Sequence, residues 1–323
     1  MSDAAPLRDL LEVVRPELDR INRELPLDLA AARPELTPLL DHVAGYRGKQ
    51  LRPALVFLAA RAVGEVGEEH FTVAKVVELL HTATLVHDDV LDGATLRRQL
   101  TTLHELHGNE LSVLLGDYLY ARAFQMAVTL DDPACSRVLA ETTRVVCQGE
   151  ITQLVHRFDF DWTEARYEQV IDDKTASLFG AAARLGAHYA GAFPGVGDAL
   201  DAYGRGLGVA FQIVDDCLDL TGEEAVVGKS LGTDLESGKL TLPLLFLMEQ
   251  EPVAVARLRG LVGRPGALPR LADEFDLAPA VAFAMKRAGE HVDRAIAALD
   301  AVPAGLARET LVELARYVVR RSR

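Results

Sequence analysis

The sequence predicts an all-α protein folded as one domain, and three observations carry that expectation. Apolar residues recur at helical spacing almost throughout, while strand-like alternation is hard to find. Aromatic residues are only 6% of the chain whereas Ala and Leu are abundant, a composition that favours helix. The breakers between apolar runs are short, and none has the length of an interdomain linker. The 323 residues are therefore read as a single unit, 1–323.

Taken in order, helices are expected at 6–24, 34–46, 50–64 and 70–93, the last two parted by Gly64 to Glu69. Runs at 109–130 and 134–156 flank Asp131-Asp132-Pro133, and 163–190 and 197–220 flank Phe193-Pro194-Gly195. Shorter runs follow at 240–250, 252–262 and 268–274, then 278–299 and 305–320 on either side of Val302-Pro303. The largest irregular stretch is Thr221 to Lys239, rich in Gly, Ser and Thr, and a stretch of that length inside a compact domain is usually functional.

Charge and cysteine usage narrow the classes of function. Against 48 Asp and Glu stand 34 Lys and Arg, a formal net charge of −14, which argues against nucleic-acid binding. An anionic substrate would need local basic clusters or metal ions to reverse that sign. Cys135, Cys147 and Cys217 form no CxxC pair and point to a reducing compartment. Residues Met1 to Arg23 have no apolar signal-like core, and no run approaches the roughly 18 apolar residues of a membrane span. A cytoplasmic location is expected.

Two segments echo one another. Leu85-Val86-His87-Asp88-Asp89-Val90-Leu91-Asp92 is matched by Gln212-Ile213-Val214-Asp215-Asp216-Cys217-Leu218-Asp219, and both end in DDxxD. They lie too far apart for tandem repeats of roughly 20–50 residues and suit two elements facing each other across one cavity. On a helix Asp88 and Asp92 share a face, with Asp89 about 100° away, and Asp215, Asp219 and Asp216 repeat the pattern. Three carboxylates so close repel one another unless a cation compensates, and hard divalent ions with oxygen ligands supply that compensation. A solvated acidic edge is the plain alternative, but the apolar Val90, Leu91, Cys217 and Leu218 between the acids argue against it.

Cations stand at telling distances from both motifs. Lys49 and Arg52 are three apart at a helix start, Arg97 and Arg98 follow the first motif, and His81 shares a stripe with Leu85, Asp88 and Asp92. Gln212 shares a stripe with the second motif. Lys174 and Thr175 interrupt an apolar helix, and Lys229 and Lys239 flank the Gly-rich stretch.

With these segments in view, the chain resembles the trans-isoprenyl diphosphate synthase (polyprenyl synthase) family, long-chain type, over nearly its whole length. The matching stretches are GKQLRP, HTATLVHDDVLDGATLRR, LLGDYLYARAF, QGEITQ, DDKTASLF and FQIVDDCLDLTGEEAVVGKSLGTDLESGK. The resemblance implies a bundle of about a dozen mostly antiparallel helices around a deep central cavity, usually homodimeric. It implies Mg²⁺, three ions with substrate bound, and two substrates, isopentenyl diphosphate and an allylic diphosphate. Asp88, Asp89, Asp92 and Asp215 are implied as metal ligands, supported by Asp216 and Asp219. Arg97, Lys174 and Lys239 would contact the allylic diphosphate, with Gln212 and Lys229 beside them. Lys49, Arg52, His81 and Arg98 would form the isopentenyl diphosphate pocket, and Thr175 and Gln212 would line the space where the carbocation forms.

The chain departs from the family pattern at Arg47-Gly48-Lys49-Gln50, where Gly-Gly-Lys-Arg is usual, and at Gln99-Leu100-Thr101, where Gly-x-Pro is common. Both changes touch the isopentenyl side. Thr221 to Lys239 is the expected lid that keeps water from the cation. Product length is expected to follow from the small Ala83 and Thr84, one turn below the first motif, with Leu115, Tyr118, Leu119 or Phe124 as the deeper wall. That pattern resembles members making about heptaprenyl to decaprenyl products. A lipophilic product implies transient contact with a membrane or an acceptor. Asp117, Trp162, Cys217 and His87 are expected to be structural. The competing readings are a shorter-chain synthase, a class I terpene cyclase, a silent subunit of a heteromeric synthase, and a di-metal bundle. The last needs two ExxH motifs, and only Glu78 to His81 fits.

Overall fold

The computed structural model describes residues 4–29, 33–222, 231–250 and 253–320, the side chains of 4–6 excepted. The N-terminal run is α1 (Ala4–Leu10) and α2 (Arg15–Leu29), joined by a 3₁₀ turn. Then come α3 (Thr37–Ala44), α4 (Leu51–Val63), α5 (Glu68–Asp92), α6 (Leu103–His107), α7 (Asn109–Ala127) and α8 (Ala134–Val155). The second half holds α9 (Glu164–Ile171), α10 (Ser177–Tyr189), α11 (Pro194–Thr221), α12 (Thr233–Glu236) and α13 (Leu242–Gln250). It ends with α14 (Ala254–Leu261), α15 (Ala267–Glu274), α16 (Ala278–Ala298) and α17 (Leu306–Arg320). Each expected helical run is present with ends displaced by a few residues, although 6–24 is interrupted by the 3₁₀ turn and 163–190 is divided between α9 and α10.

Helices α10 and α11 form the centre, packed on each other and flanked by α4 and α16. Helix α4 is buried on almost every side, from Leu51 through Pro53–Ala60 to Ala62, which is why its sequence shows no polar face. Helix α5 packs along α7, and His87 lies so near Gly116 that a Cβ there would fall 2.1 Å from its Nε2. That histidine also lies 3.1 Å from the Val113 carbonyl and stacks on Tyr120, so it is structural as expected. Trp162 packs on His156, and Cys217 is buried in the core.

Three features escape helical periodicity. Leu96–Arg97 (β1) and Leu100–Thr101 (β2) pair antiparallel, Leu96 opposite Thr101 and Arg97 opposite Leu100. The two residues of the turn, Arg98 and Gln99, have φ of 51° and 66°, the geometry of a tight primed turn. Short helices α6 and α12 lie where the sequence predicts no helix. Between α9 and α10, Asp172–Ala176 forms a π-turn rather than a continuous α-helix.

Candidate active site

Two half-buried stripes face the cleft. On α5 the stripe comprises His81, Thr84, Leu85 and Asp88, spread over about two turns, and on α11 Phe211, Gln212, Asp215 and Leu218. The acidic motifs sit on separate helices; Lys174 and Lys239 lie within electrostatic reach of Asp88, and Lys239 also pairs with Asp234, whose amide donates to Asp219 of the second motif. Burial pushes the Asp88 carboxyl above the usual carboxylate range, opposed by Lys174 and reinforced by Glu150. Burial alone would lower Lys174, but Asp88 and Glu150 hold it raised. Lys239 is raised likewise, Asp234 and Asp92 outweighing its burial.

The six aspartates do not play one role. Asp92 lies at the mouth and takes Arg157 at 2.6 Å and Lys239 at 2.9 Å. Asp89, expected as a direct ligand, is only 1% exposed, and Arg97 donates to its Oδ1 from Nε at 2.8 Å and Nη2 at 2.6 Å. The cause is phase: a residue about 100° from Asp88 points into the packing behind the helix, beside Tyr46. Arg97, expected at the diphosphate, is thus engaged by Asp89. Asp216 accepts from the Tyr167 hydroxyl at 2.7 Å and from Gln212 Nε2 at 2.8 Å. Asp219 is fully buried and accepts from the Thr233 hydroxyl at 3.1 Å and the Asp234 amide at 3.2 Å. Both brace the motif rather than face the cleft, leaving Asp88, Asp92 and Asp215 as the acids with open surface. Among the described residues no three acidic, His or Cys side chains converge on one point to hold an ion.

Lys174 and Thr175 are set by the π-turn. Lys174 pairs with Glu150 and donates to Gln153 Oε1 at 3.1 Å, while the Thr175 hydroxyl donates to Gln212 Oε1 at 2.9 Å. A hydrogen-bonded chain thus runs Thr175–Gln212–Asp216–Tyr167. Gly149 of α8 makes room for the turn, since a Cβ there would lie 2.8 Å from the Lys174 backbone nitrogen.

The second cluster is cationic. Arg52, His81 and Arg98 lie within electrostatic reach of one another, with Glu78 facing the two arginines. Burial lowers Arg52 to about 10, Glu78 opposing, and lowers His81 well below its ordinary range, so that His81 is neutral. Arg52 lies over the Phe179 ring at 4.3 Å. Arg52 Nε and Arg98 Nη1 are buried without a hydrogen-bond partner among the described residues. Gly48 lies under the Arg98 guanidinium, where a Cβ would fall 2.3 Å from Nη2, and Lys49 is the exposed next residue. The unusual Gln50 exchanges two side-chain hydrogen bonds with Asn22 (2.7 and 3.0 Å) and Arg47 donates to the Asn22 carbonyl, so these departures tie this loop to α2.

Lys229 lies outside the described residues, as do the other residues from 223 to 230 of the expected lid. Its described part folds onto the second motif, the Gly232 amide donating to the Asp219 carbonyl at 2.9 Å. Of the expected chain-length residues, Ala83, Leu115 and Leu119 are buried on the faces that join α5 to α7, while Thr84 and Tyr118 keep open surface. Sequence reading assigns no role to Glu150, Gln153, Arg157 or Tyr167, and singles out Glu78 only as part of the ExxH segment. QGEITQ was noted as a stretch, and its acid was the available signal for Glu150.

Comparison with known proteins identifies the family. The polyprenyl synthetase family model matches residues 33–270. Octaprenyl diphosphate synthase of Escherichia coli (strain K12) is 38% identical over 321 residues, covering 95% of this chain and 99% of the relative. The crystal structure of a Caulobacter crescentus CB15 polyprenyl synthase, complexed with calcium and isoprenyl diphosphate, superposes with a TM-score of 0.92 at 36% identity, covering 98% of both chains. That of a Rhodobacter capsulatus decaprenyl diphosphate synthase superposes at 0.89 and 34% identity, covering 98% of this chain and 100% of the other. A match of this extent, in sequence and in backbone, makes the chain a member of the polyprenyl synthetase family.

Proposed function

We propose that the chain is an all-trans polyprenyl diphosphate synthase that condenses isopentenyl diphosphate onto an allylic diphosphate and makes a long-chain product, heptaprenyl or longer. The observation that carries this reading is the pairing of two differently charged clusters in one cleft: opposed acidic stripes with lysines between them, and an arginine pocket beside them. The long-chain names of the relatives support the product class, as do the small Ala83 and Thr84.

Divalent cations fit the donor set, since Asp88, Asp92 and Asp215 offer hard oxygens from two helices. Mg²⁺, three ions with substrate bound, would neutralise the diphosphate and stabilise it as a leaving group. In this reading Lys174 and Lys239 meet the charge that builds on that group as the allylic C–O bond breaks, and so bind the transition state more tightly than the ground state. The Thr175 hydroxyl and Gln212 border the carbocation, fixed by Asp216 and Tyr167. Lys49, Arg52 and Arg98 hold isopentenyl diphosphate so that its double bond attacks the cation, forming the C–C bond, and the lost proton passes to the released pyrophosphate. His81, kept neutral by burial and the nearby arginines, borders the same pocket.

A homodimer is part of the proposal. Leu111 and Leu114 on α7 and Ile151 and Val155 on α8 are exposed apolar side chains on two neighbouring helices, suited to a second copy. Leu114→Glu with Ile151→Glu is expected to shift the mass in light scattering to a monomer. Among the described residues no helix is long and apolar enough to cross a membrane.

The reading is tested by incubating protein with Mg²⁺, farnesyl diphosphate and labelled isopentenyl diphosphate and resolving the products by length. Prenyl chains of heptaprenyl length or more support it; products ending at geranylgeranyl overturn the long-chain part, and no incorporation overturns the activity. Thr84→Phe is expected to shorten the product. Ala83→Phe, overpacking a fully buried site, is expected to cost about 1–3 kcal/mol of stability as well.

A further inference from the structure

The segment that follows α8 carries a cation that no motif predicted. The Arg157 guanidinium donates from Nη2 to Asp92 Oδ1 at 2.6 Å, and the other carboxylate oxygen takes Lys239 at 2.9 Å. The two cations are not equivalent. Lys239 has a second carboxylate, Asp234, at 3.4 Å, whereas among the described residues Arg157 pairs with Asp92 alone and keeps a buried Nε without a hydrogen-bond partner.

The backbone ties both cations to one unit. The next residue, Phe158, adopts φ of 65°, its N–H donates to the Gly238 carbonyl at 2.9 Å, and its ring lies against Gly238 and Gly263. Arg157 and Lys239 therefore approach the same carboxylate from connected segments. When Asp92 turns to a divalent ion, Lys239 still has Asp234, but a mostly buried guanidinium is left without an anion. Such a charge is costly unless another anion takes it, and the planar fork of arginine matches phosphate oxygens.

We propose that Arg157 is a substrate-gated cation, which caps Asp92 before the allylic diphosphate arrives and then donates to a phosphate oxygen of that diphosphate. This rests on the reading of α5 and α11 as a metal–diphosphate site. It makes Arg157 a competitor of the metal ion when the ion comes alone, and a partner when the ion comes with a diphosphate.

The test uses the full-length protein, Mn²⁺ as a spectroscopic probe and inorganic pyrophosphate as the anion. Electron paramagnetic resonance gives the affinity for Mn²⁺ alone, and calorimetry gives the affinity for pyrophosphate at saturating Mn²⁺. Arg157→Gln is expected to bind Mn²⁺ alone a few-fold more tightly and pyrophosphate about tenfold or more weakly. Arg157→Lys, which keeps the charge without the fork, is expected to fall between and guards against a folding artefact. Pyrophosphate affinity within about twofold of wild type in Arg157→Gln overturns the proposal, as does weakening of both ligands by one factor. A wild-type protein that binds no pyrophosphate with Mn²⁺ overturns the parent reading, which that control alone reveals.

Discussion

Around Asp92 and Glu150 the acids already meet cations: Asp92 holds Arg157 and Lys239, and Glu150 holds Lys174. Around Arg52 and Arg98 the balance is reversed, with two arginines facing Glu78 and, among the described residues, unpartnered nitrogens on both. In the first region the charges are already paired, so binding there must replace ion pairs and rebuild them around the ligand. The second is a preformed anion pocket whose positive charge waits for its ligand. The difference suits the two proposed chemistries. A group that must ionise benefits from charges that respond as it leaves, whereas a nucleophile needs only to be held.

The largest effect should separate these roles. Asp88→Asn or Asp215→Asn is expected to lower kcat by about 10³-fold with little change in the isopentenyl diphosphate KM, because the interaction matters most as charge develops. Arg98→Ala is expected to do the opposite, raising that KM by about 10- to 100-fold with kcat nearly kept, as a lost charged hydrogen bond in ground-state binding should. Steady-state kinetics with both substrates varied checks each, and a kcat collapse in Arg98→Ala would erase the distinction.

Two glycines sharpen it at smaller magnitude. A Cβ on Gly48 meets only the far end of the Arg98 side chain, which can swing away. A Cβ on Gly149 meets the Lys174 backbone nitrogen and Asp173 Cβ, which cannot. Gly48→Ala is therefore expected to raise the isopentenyl diphosphate KM about tenfold at unchanged thermal stability. Gly149→Ala is expected to lower kcat and the melting temperature together, by a few degrees for about 1–2 kcal/mol. Calorimetric scans beside the kinetics distinguish them.

How legible these regions were follows from their physics. Helical periodicity reports one-sided burial, so α5 and α11 could be read directly, whereas α4 stands out only as an unbroken apolar run, and the paired DDxxD segments placed the acidic stripes on the right helices. Periodicity does not say which of two adjacent aspartates faces a neighbour. Sequence alone implies Asp89 as a direct ligand and Asp216 as a support of the cluster, and only the positions of Arg97 and Tyr167 assign both carboxylates to the packing. The hairpin that carries Arg98 was hidden because Arg98-Gln99 lacks the Asn-Gly signature of a primed turn. Arg157 and Phe158 act through contacts with Asp92 and Gly238, distant in the chain, which no local pattern encodes.

The smallest expected effect concerns the acid in the cationic pocket. Burial raises the Glu78 carboxyl above its ordinary range, with Arg52, Arg98 and Arg47 pulling it back in part. The folded state then binds a proton that the unfolded state has lost, over the window from the ordinary glutamate value up to the raised folded one. Stability falls as pH rises through that window, and below it Glu78 contributes no pH dependence. Glu78→Gln copies the protonated form. The variant is expected to match wild type at the acid end and to melt roughly 1–3 °C higher above the window. Its isopentenyl diphosphate KM should be lower there too, since a neutral residue 78 leaves Arg52 and Arg98 unopposed. A Glu78→Gln protein that melts lower than wild type at neutral pH would mean that Glu78 is ionised and bracing the arginines. The pocket would then be paired before its ligand arrives, like the acidic side, and the contrast between the two regions would fail.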